Sequence, residues 1–175
     1  MKNRIVASIL LGAIACGGSA FAKEYSYPVE KPIFSIDIPD AWEVALNSDE
    51  VAINATSPDE EIEYYIWPLP ASALKADPKA AFMEAAKEAD DLIKEYVKDS
   101  KFGEPQEKKI NGIDSLWLEG SGKYKDGGKA VNVKVGFFSP DDKAVYILMY
   151  WGTKDGEEKL KAEIEKIDNS IKKAQ

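Results

Sequence analysis

The sequence predicts an α+β fold, a central antiparallel sheet of about six to eight strands flanked by two main helices. Three observations predict it. Apolar and polar residues alternate in short runs, before residue 70 and again between residues 106 and 151. The period lengthens to 3.6 residues over 77–98 and after 155, as amphipathic helices require. Tight-turn signals such as Asn111-Gly112 join neighbouring runs, which favours antiparallel pairing over long crossovers.

Residues 1–22 read as a secretory signal that stands outside the fold. Lys2 and Arg4 supply the positive start, and Ile5 to Ile14 form an apolar run too short to span a bilayer. Ala20-Phe21-Ala22 offers the small-x-small pattern that signal peptidase accepts, so cleavage is expected after Ala22. The alternative is a lipoprotein anchored at Cys16, through the box Ala13-Ile14-Ala15-Cys16-Gly17 with Ala where Leu is usual. Residues 23–175 then make one α+β domain, with no repeat, no linker and no transmembrane segment.

Within that domain, residues 23–32 read as an extended arm because of Pro28 and Pro32. Phe34-Ser35-Ile36-Asp37-Ile38 alternates as a half-buried strand, closed by Pro39-Asp40, with Trp42 in the turn. Residues 43–46 and 51–56 are short strands around the turn Asn47-Ser48-Asp49. Residues 61–67 form another, with Ile62, Tyr64 and Ile66 on one face and Tyr65 and Trp67 on the other. Asp77 is the expected N-cap of a helix to about Lys98, whose stripe is Phe82, Ala85, Ala89, Leu92 and Tyr96. Gly103 and Pro105 mark residues 100–106 as a loop. A meander follows: a strand to Ile110, a long strand over 113–124, a return over 130–138 and an apolar strand over 144–151. Val131, Val133, Val135 and Phe137 face one way, Asn132 and Lys134 the other. The last helix has Asp155 and Glu158 as its cap pair, Leu160, Ile164, Ile167 and Ile171 as its stripe, and Lys172 and Lys173 at its C-terminal dipole.

Composition then excludes much chemistry. The only Arg is Arg4 and the only Cys is Cys16, and the chain has no His. Cleavage after Ala22 leaves 21 Lys against 31 acidic residues, a net charge of −10 on 153 residues. An acidic chain is a poor partner for nucleic acid or anionic membrane. Without His or Cys there is no Ser-His or Cys-His relay and no zinc site of the usual ligands.

The remaining candidates are weaker. Ser72-Ala73-Leu74-Lys75 matches the spacing of a Ser-Lys relay, but Pro70 and a helix start flank it and the companion motifs are missing. Asp59-Glu60-Glu61, Asp90-Asp91 and Asp141-Asp142 are paired carboxylates on turns or a polar helix face, where carboxyls stay ionised. A hydrolase would need one of them desolvated in a cleft. Asp126-Gly127-Gly128 lacks the further carboxylates of a calcium loop. No cofactor and no metal site is indicated. Gly120-x-Gly122 precedes a hairpin rather than a helix, so it reads as a strand bend and not a phosphate cradle. The aromatic residues are numerous, and Trp42, Tyr65, Trp67 and Trp117 are the candidate binding set if they share an uncovered sheet face; otherwise they are core.

Three stretches resemble a known family. They are Phe34-Ser35-Ile36-Asp37-Ile38-Pro39-Asp40-Ala41-Trp42, the turn Ile110-Asn111-Gly112-Ile113, and the strand Tyr146-Ile147-Leu148-Met149-Tyr150 followed by a helix. In motif and element order the chain resembles the PsbP-like extracytoplasmic proteins, whose fold is shared with the Ran-binding import factor Mog and with bacterial DcrB. The resemblance implies an antiparallel sheet between helices and a role in binding or assembly rather than catalysis. It supplies no catalytic residues. The expected function is therefore an exported, non-catalytic envelope protein that contacts a protein partner. The alternatives are a carrier of a small apolar or aromatic ligand in a sheet–helix groove, and a carboxylate-based hydrolase.

Overall fold

Alternating runs pair into one sheet of eight strands, all antiparallel, as short connections dictate. The structure is a computed structural model describing residues 22–46, 52–69, 78–141 and 144–174, with backbone alone over 78–82. The expected signal segment, the Cys16 box, the turn at 47–49, Asp77 and the Ser72-Lys75 pair lie outside the described residues, and Ala22 is the first described residue. The strands are β1 (Ala22–Tyr27), β2 (Phe34–Pro39), β3 (Glu43–Leu46), β4 (Ile53–Thr56), β5 (Ile62–Pro68), β6 (Val97–Phe102), β7 (Gln106–Ile110), β8 (Ile113–Tyr124), β9 (Ala130–Phe138), β10 (Tyr146–Thr153) and β11 (Lys172–Lys173). The helices are α1 (Pro78–Tyr96) and α2 (Lys154–Ser170). The large sheet runs β3-β4-β5-β10-β9-β8, and the twelve-residue β8 is long enough to pair with both β7 and β6 along its far edge. A second sheet, β1-β2-β11, packs with α2 on one face; α1 covers part of the other.

The two faces hold separate cores. On the α2 side, Ile36 and Ile38 of β2, Tyr64 and Ile66, Trp117, Leu148 and Tyr150 meet Leu160, Ile164, Ile167 and Ile171. On the α1 side, Ala85, Ala89 and Ile93 close over Val131, Val133, Val135, Phe137, Ile147, Met149 and Trp151. Strand β10 is buried on both faces, as its unbroken apolar run implies. The helix stripe of α1 differs from expectation at its end: Ile93 is buried, whereas Tyr96 is exposed and stacks on Trp151. Among the described residues no helix is long and apolar enough to cross a membrane.

Four local expectations change. The arm over 23–32 contains β1, which pairs with β2 from Ala22↔Pro39 to Tyr27↔Phe34, because both prolines fall after the strand. Residues 97–102 form β6 rather than a helix end and a loop. The distal half of β8 takes them as its partner, and Asp99 at φ 57 sits in a bulge that hides the alternation. Gly120 and Gly122 are where β6 runs close to β8: a Cβ would lie 2.7 Å from the Lys101 carbonyl oxygen and 2.9 Å from that of Lys98. Helix α2 is capped by Thr153, whose hydroxyl accepts from the Gly156 amide at 3.0 Å, not by Asp155. Lys172 and Lys173 belong to β11, not to the last helical turn.

Asn111 and Gly112 both have positive φ, as a two-residue hairpin of the primed type requires. The Asn111 side chain does a second job: its amide donates to the carbonyls of Asn169 and Ile171, both at 2.8 Å, and so holds the C-terminus of α2. Asn111→Ala should cost about 2 kcal/mol, from left-handed strain and two lost bonds. Asn111→Gly keeps the turn and should cost about 1 kcal/mol. Urea unfolding of both variants checks the order; equal losses would mean the hydrogen bonds contribute nothing.

Candidate functional site

Strand register assembles the site. Pairing across the sheet aligns Tyr64, Tyr150, Lys134 and Glu119 in one row, and Ile62, Gly152, Asn132 and Ser121 in the row two residues along. Both rows point to the α2 side. Helix α2 packs chiefly on β2 and touches β9 and β10 less, so the corner towards β8 stays open as a cleft. Its two lobes, of about 460 and 670 Å³, share Glu119, Asn132, Lys134, Tyr150 and Glu157.

The polar groups at the base of this corner are tied to one another. Lys134, only 12% exposed, donates to Asp168 Oδ2 at 2.6 Å, and its ammonium lies 4.7 Å from the Trp117 ring and 5.8 Å from that of Tyr150. Asp168 Oδ1 accepts the Tyr64 hydroxyl at 2.8 Å. Glu157 accepts the Tyr150 hydroxyl at 2.7 Å on one oxygen and the Asn132 amide on the other. Burial pushes the Asp168 carboxyl above the usual carboxylate range, with Lys134 and Tyr64 opposing it. Burial, then the bond to Glu157, pushes the Tyr150 hydroxyl far above the usual tyrosine range. Asp168 was missed in the sequence, although it stands four residues after Ile164 and eight after Leu160, on the apolar stripe of α2. A carboxylate at that spacing was the signal.

The expected aromatic set does not come together as one surface. Trp42 (4% exposed) and Trp117 (2%) are buried on the α2 side, where Trp42 Nε1 donates to Glu163 at 3.0 Å and Trp117 Nε1 to Ser115 Oγ at 2.9 Å. Tyr65 and Trp67 are half-buried on the α1 side, with Tyr65 stacked on Trp151 at 5.0 Å. The register explains the split: Tyr65 shares its row with Met149, Val135 and Leu118, whereas Trp117 shares its row with Gly136, Leu148 and Ile66.

The paired carboxylates are fastenings. Asp59 accepts from Lys159 at 2.5 Å and from the Ser57 hydroxyl at 2.8 Å, and Glu61 from Thr153 and Lys129. The bonds from Lys159 and Thr153 tie the β4–β5 turn to the start of α2, and the one from Lys129 ties it to the β8–β9 loop. Asp90 and Asp91 pair with Lys94 and Lys87 on the exposed face of α1. Asp142 lies outside the described residues. The Lys159 ammonium first, then Ser57, holds the Asp59 carboxyl down at about 2. A lowered folded value means its stabilisation is present above the unfolded value near 4 and is lost as pH falls towards 2. Asp59→Asn should therefore lose up to about 1 kcal/mol at pH 7 and little at pH 2. Urea midpoints of both proteins across that range check it; parallel curves would contradict it.

No group of three or more acidic side chains among the described residues could hold a metal ion. No family model matches the chain, and no curated protein matches it in sequence. Solved structures do. The cyanobacterial PsbP (CyanoP) of Synechocystis sp. PCC 6803 superposes with a TM-score of 0.59 at 12% identity, over 94% of this chain and 99% of its own. LpqN, involved in cell envelope biogenesis of Mycobacterium tuberculosis, gives 0.58 at 16% identity over 88% and 92%. The Saccharomyces cerevisiae Ran-binding protein Mog1p gives 0.55 at 10% identity over 87% and 95%. At such identities the likeness is one of fold, and it spans nearly the whole described chain: this protein has the PsbP-like, Mog-like α+β fold.

Proposed function

We propose that this chain is a non-catalytic binding or assembly protein of the bacterial envelope, exported by its N-terminal segment and acting through contacts with a protein partner. The observation that carries the reading is that the lysine and the tyrosine at the base of the cleft are already committed. Lys134 is held by Asp168, and Tyr150 by Glu157, in a chain whose residues 23–175 lack His, Cys and Arg. The solved structures of like fold include a Ran-binding protein and an envelope-biogenesis protein, which supports a binding role in the envelope.

The test is site-specific photocrosslinking in the envelope from Ser121 in the cleft, with Lys87 on α1 as control. A discrete protein adduct from Ser121 alone supports the reading; none from either position, or the same adducts from both, sinks it. The intact mass of the exported protein separates cleavage after Ala22 from acylation at Cys16.

One observation favours the hydrolase alternative: Asp168 is a carboxyl with a raised value. Both of its oxygens are bonded, to Tyr64 and Lys134, and it lies beneath the cleft rather than lining it. The carrier alternative has a groove between α1 and β8–β9, lined by Ala86, Ile93, Phe102, Leu118 and Phe137, but its volume of about 80 Å³ falls short of the several hundred that small-molecule sites offer. A small molecule retained in native mass spectrometry would nevertheless revive it.

A further inference from the structure

We infer that the cleft between α2 and β8–β9 receives a lysine or arginine side chain presented by the protein partner, with Glu157 as its anchor; the inference rests on the binding role proposed above and names what that partner must bring. Charge decides the sign of the ligand. The larger lobe is lined by Glu119, Glu157, Glu158 and Glu165 against Lys134, Lys154 and Lys161. Lys134 is already neutralised from below by Asp168, so the lobe presents an excess of negative charge to an entering group.

Glu157 is the focal point. Both of its carboxylate oxygens are held, but by neutral donors, the Tyr150 hydroxyl and the Asn132 amide. No ammonium lies within ion-pair distance of it among the described residues. Three carboxylates nearby have cationic partners instead: Asp168 with Lys134, Asp59 with Lys159, Glu61 with Lys129. Glu157 therefore stands oriented and uncompensated at the wall of an open cavity, with spare lone pairs to accept from an ammonium or guanidinium. Glu119, 59% exposed at the rim, is a second carboxylate along the entry.

The rings point the same way. Lys134 shows that this corner accommodates a cation against aromatic faces, since its ammonium already lies over Trp117 and near Tyr150. A volume of about 670 Å³ admits a long side chain together with part of its backbone. A divalent metal is the poorer occupant, because no three acidic groups converge among the described residues. An anion would meet Glu157 and Glu119 with no free ammonium at the base.

Titration of the ¹⁵N-labelled protein with N-acetyl-lysine amide and N-acetyl-arginine amide tests this, with neutral N-acetyl-norleucine amide as control. The charged probes should produce saturable shifts at the Asn132 side-chain amide and at the backbone amides of Ser121 and Lys134. Glu157→Gln, which keeps an acceptor for Tyr150, should weaken binding about tenfold, the loss of one charge-assisted contact. Should that variant melt early, Glu119→Gln at the exposed rim carries the test, with about a twofold loss expected. Linear shifts scattered over the acidic surface, equal binding by the norleucine probe, or unchanged affinity in both variants would each overturn the inference. A crosslinked partner without saturable cation binding overturns it while the binding role stands. Cation binding without any crosslinked partner supports the site and removes the protein-partner role.

Discussion

Asp168→Ala should destabilise the protein by about 3–5 kcal/mol, because it leaves the Lys134 ammonium, only 12% exposed at the base of the cleft, without its carboxylate. Among the described residues the carboxylate is the only acidic partner within 3 Å of that ammonium; Glu119 stands at 3.9 Å and is exposed. The same desolvation makes the pair a weak source of stability as a pair. Burial raises the Asp168 carboxyl despite the cation beside it, so the folded state holds that proton more tightly than the unfolded chain does. A raised folded value means that this group's contribution is greatest below the unfolded value and is lost as pH rises through the folded one. Replacing both partners, Asp168→Leu with Lys134→Met, should therefore leave stability within about 1 kcal/mol of the wild type or above it. Urea unfolding at pH 7 separates the cases. A single-variant loss below about 1 kcal/mol would mean that water reaches Lys134, and a double-variant loss as large as the single one would mean that the ion pair itself stabilises the fold. The double variant should also flatten the decline of stability through the carboxylate range.

The same pair shows where sequence reading reaches its limit. Alternation assigned the residues of β5 and β9 to faces, and the structure keeps those faces: Ile62, Tyr64 and Ile66 against Tyr65 and Trp67, and Val131, Val133, Val135 and Phe137 against Asn132 and Lys134. Alternation does not say which residue of one strand stands opposite which of another. The row Tyr64–Tyr150–Lys134–Glu119 exists only once the register is fixed, and its members are 86 residues apart at the extremes of position, from Tyr64 to Tyr150. The apolar stripe of α2 was legible, yet Asp168 was passed over because a charge at its margin reads as solvated until a buried lysine is found facing it. Strand β6 was illegible for a local reason, the bulge around Asp99, and β11 because two lysines after a helix look like dipole compensation. The four aromatic candidates were drawn from residue type alone, and the sheet divides them two and two.

Trp117→Ala should cost about 3–5 kcal/mol, the range for deleting a large buried aromatic. The indole is 2% exposed and donates to Ser115, and it lies beneath the Lys134 ammonium, so its loss opens a void and removes the aromatic floor of the cleft. The void can be filled from one direction. Gly136 stands opposite Trp117 in the β8–β9 register, and a Cβ added there would lie 2.7 Å from the indole Cζ3, too close for the ring to remain in place. Gly136→Ala alone should therefore cost about 1–3 kcal/mol by overpacking. In the Trp117→Ala background the same methyl enters vacated space, so the double variant should be less destabilised than the sum of the singles by about 1 kcal/mol or more. Denaturant unfolding of the four proteins closes the cycle. Strict additivity would show that the indole yields to the methyl without strain, and that this glycine is set by something other than the ring above it. A coupling of the expected sign would show that Gly136 is there because Trp117 is: the strand gives up a side chain so that the indole can lie flat on the sheet and hold the lysine above it.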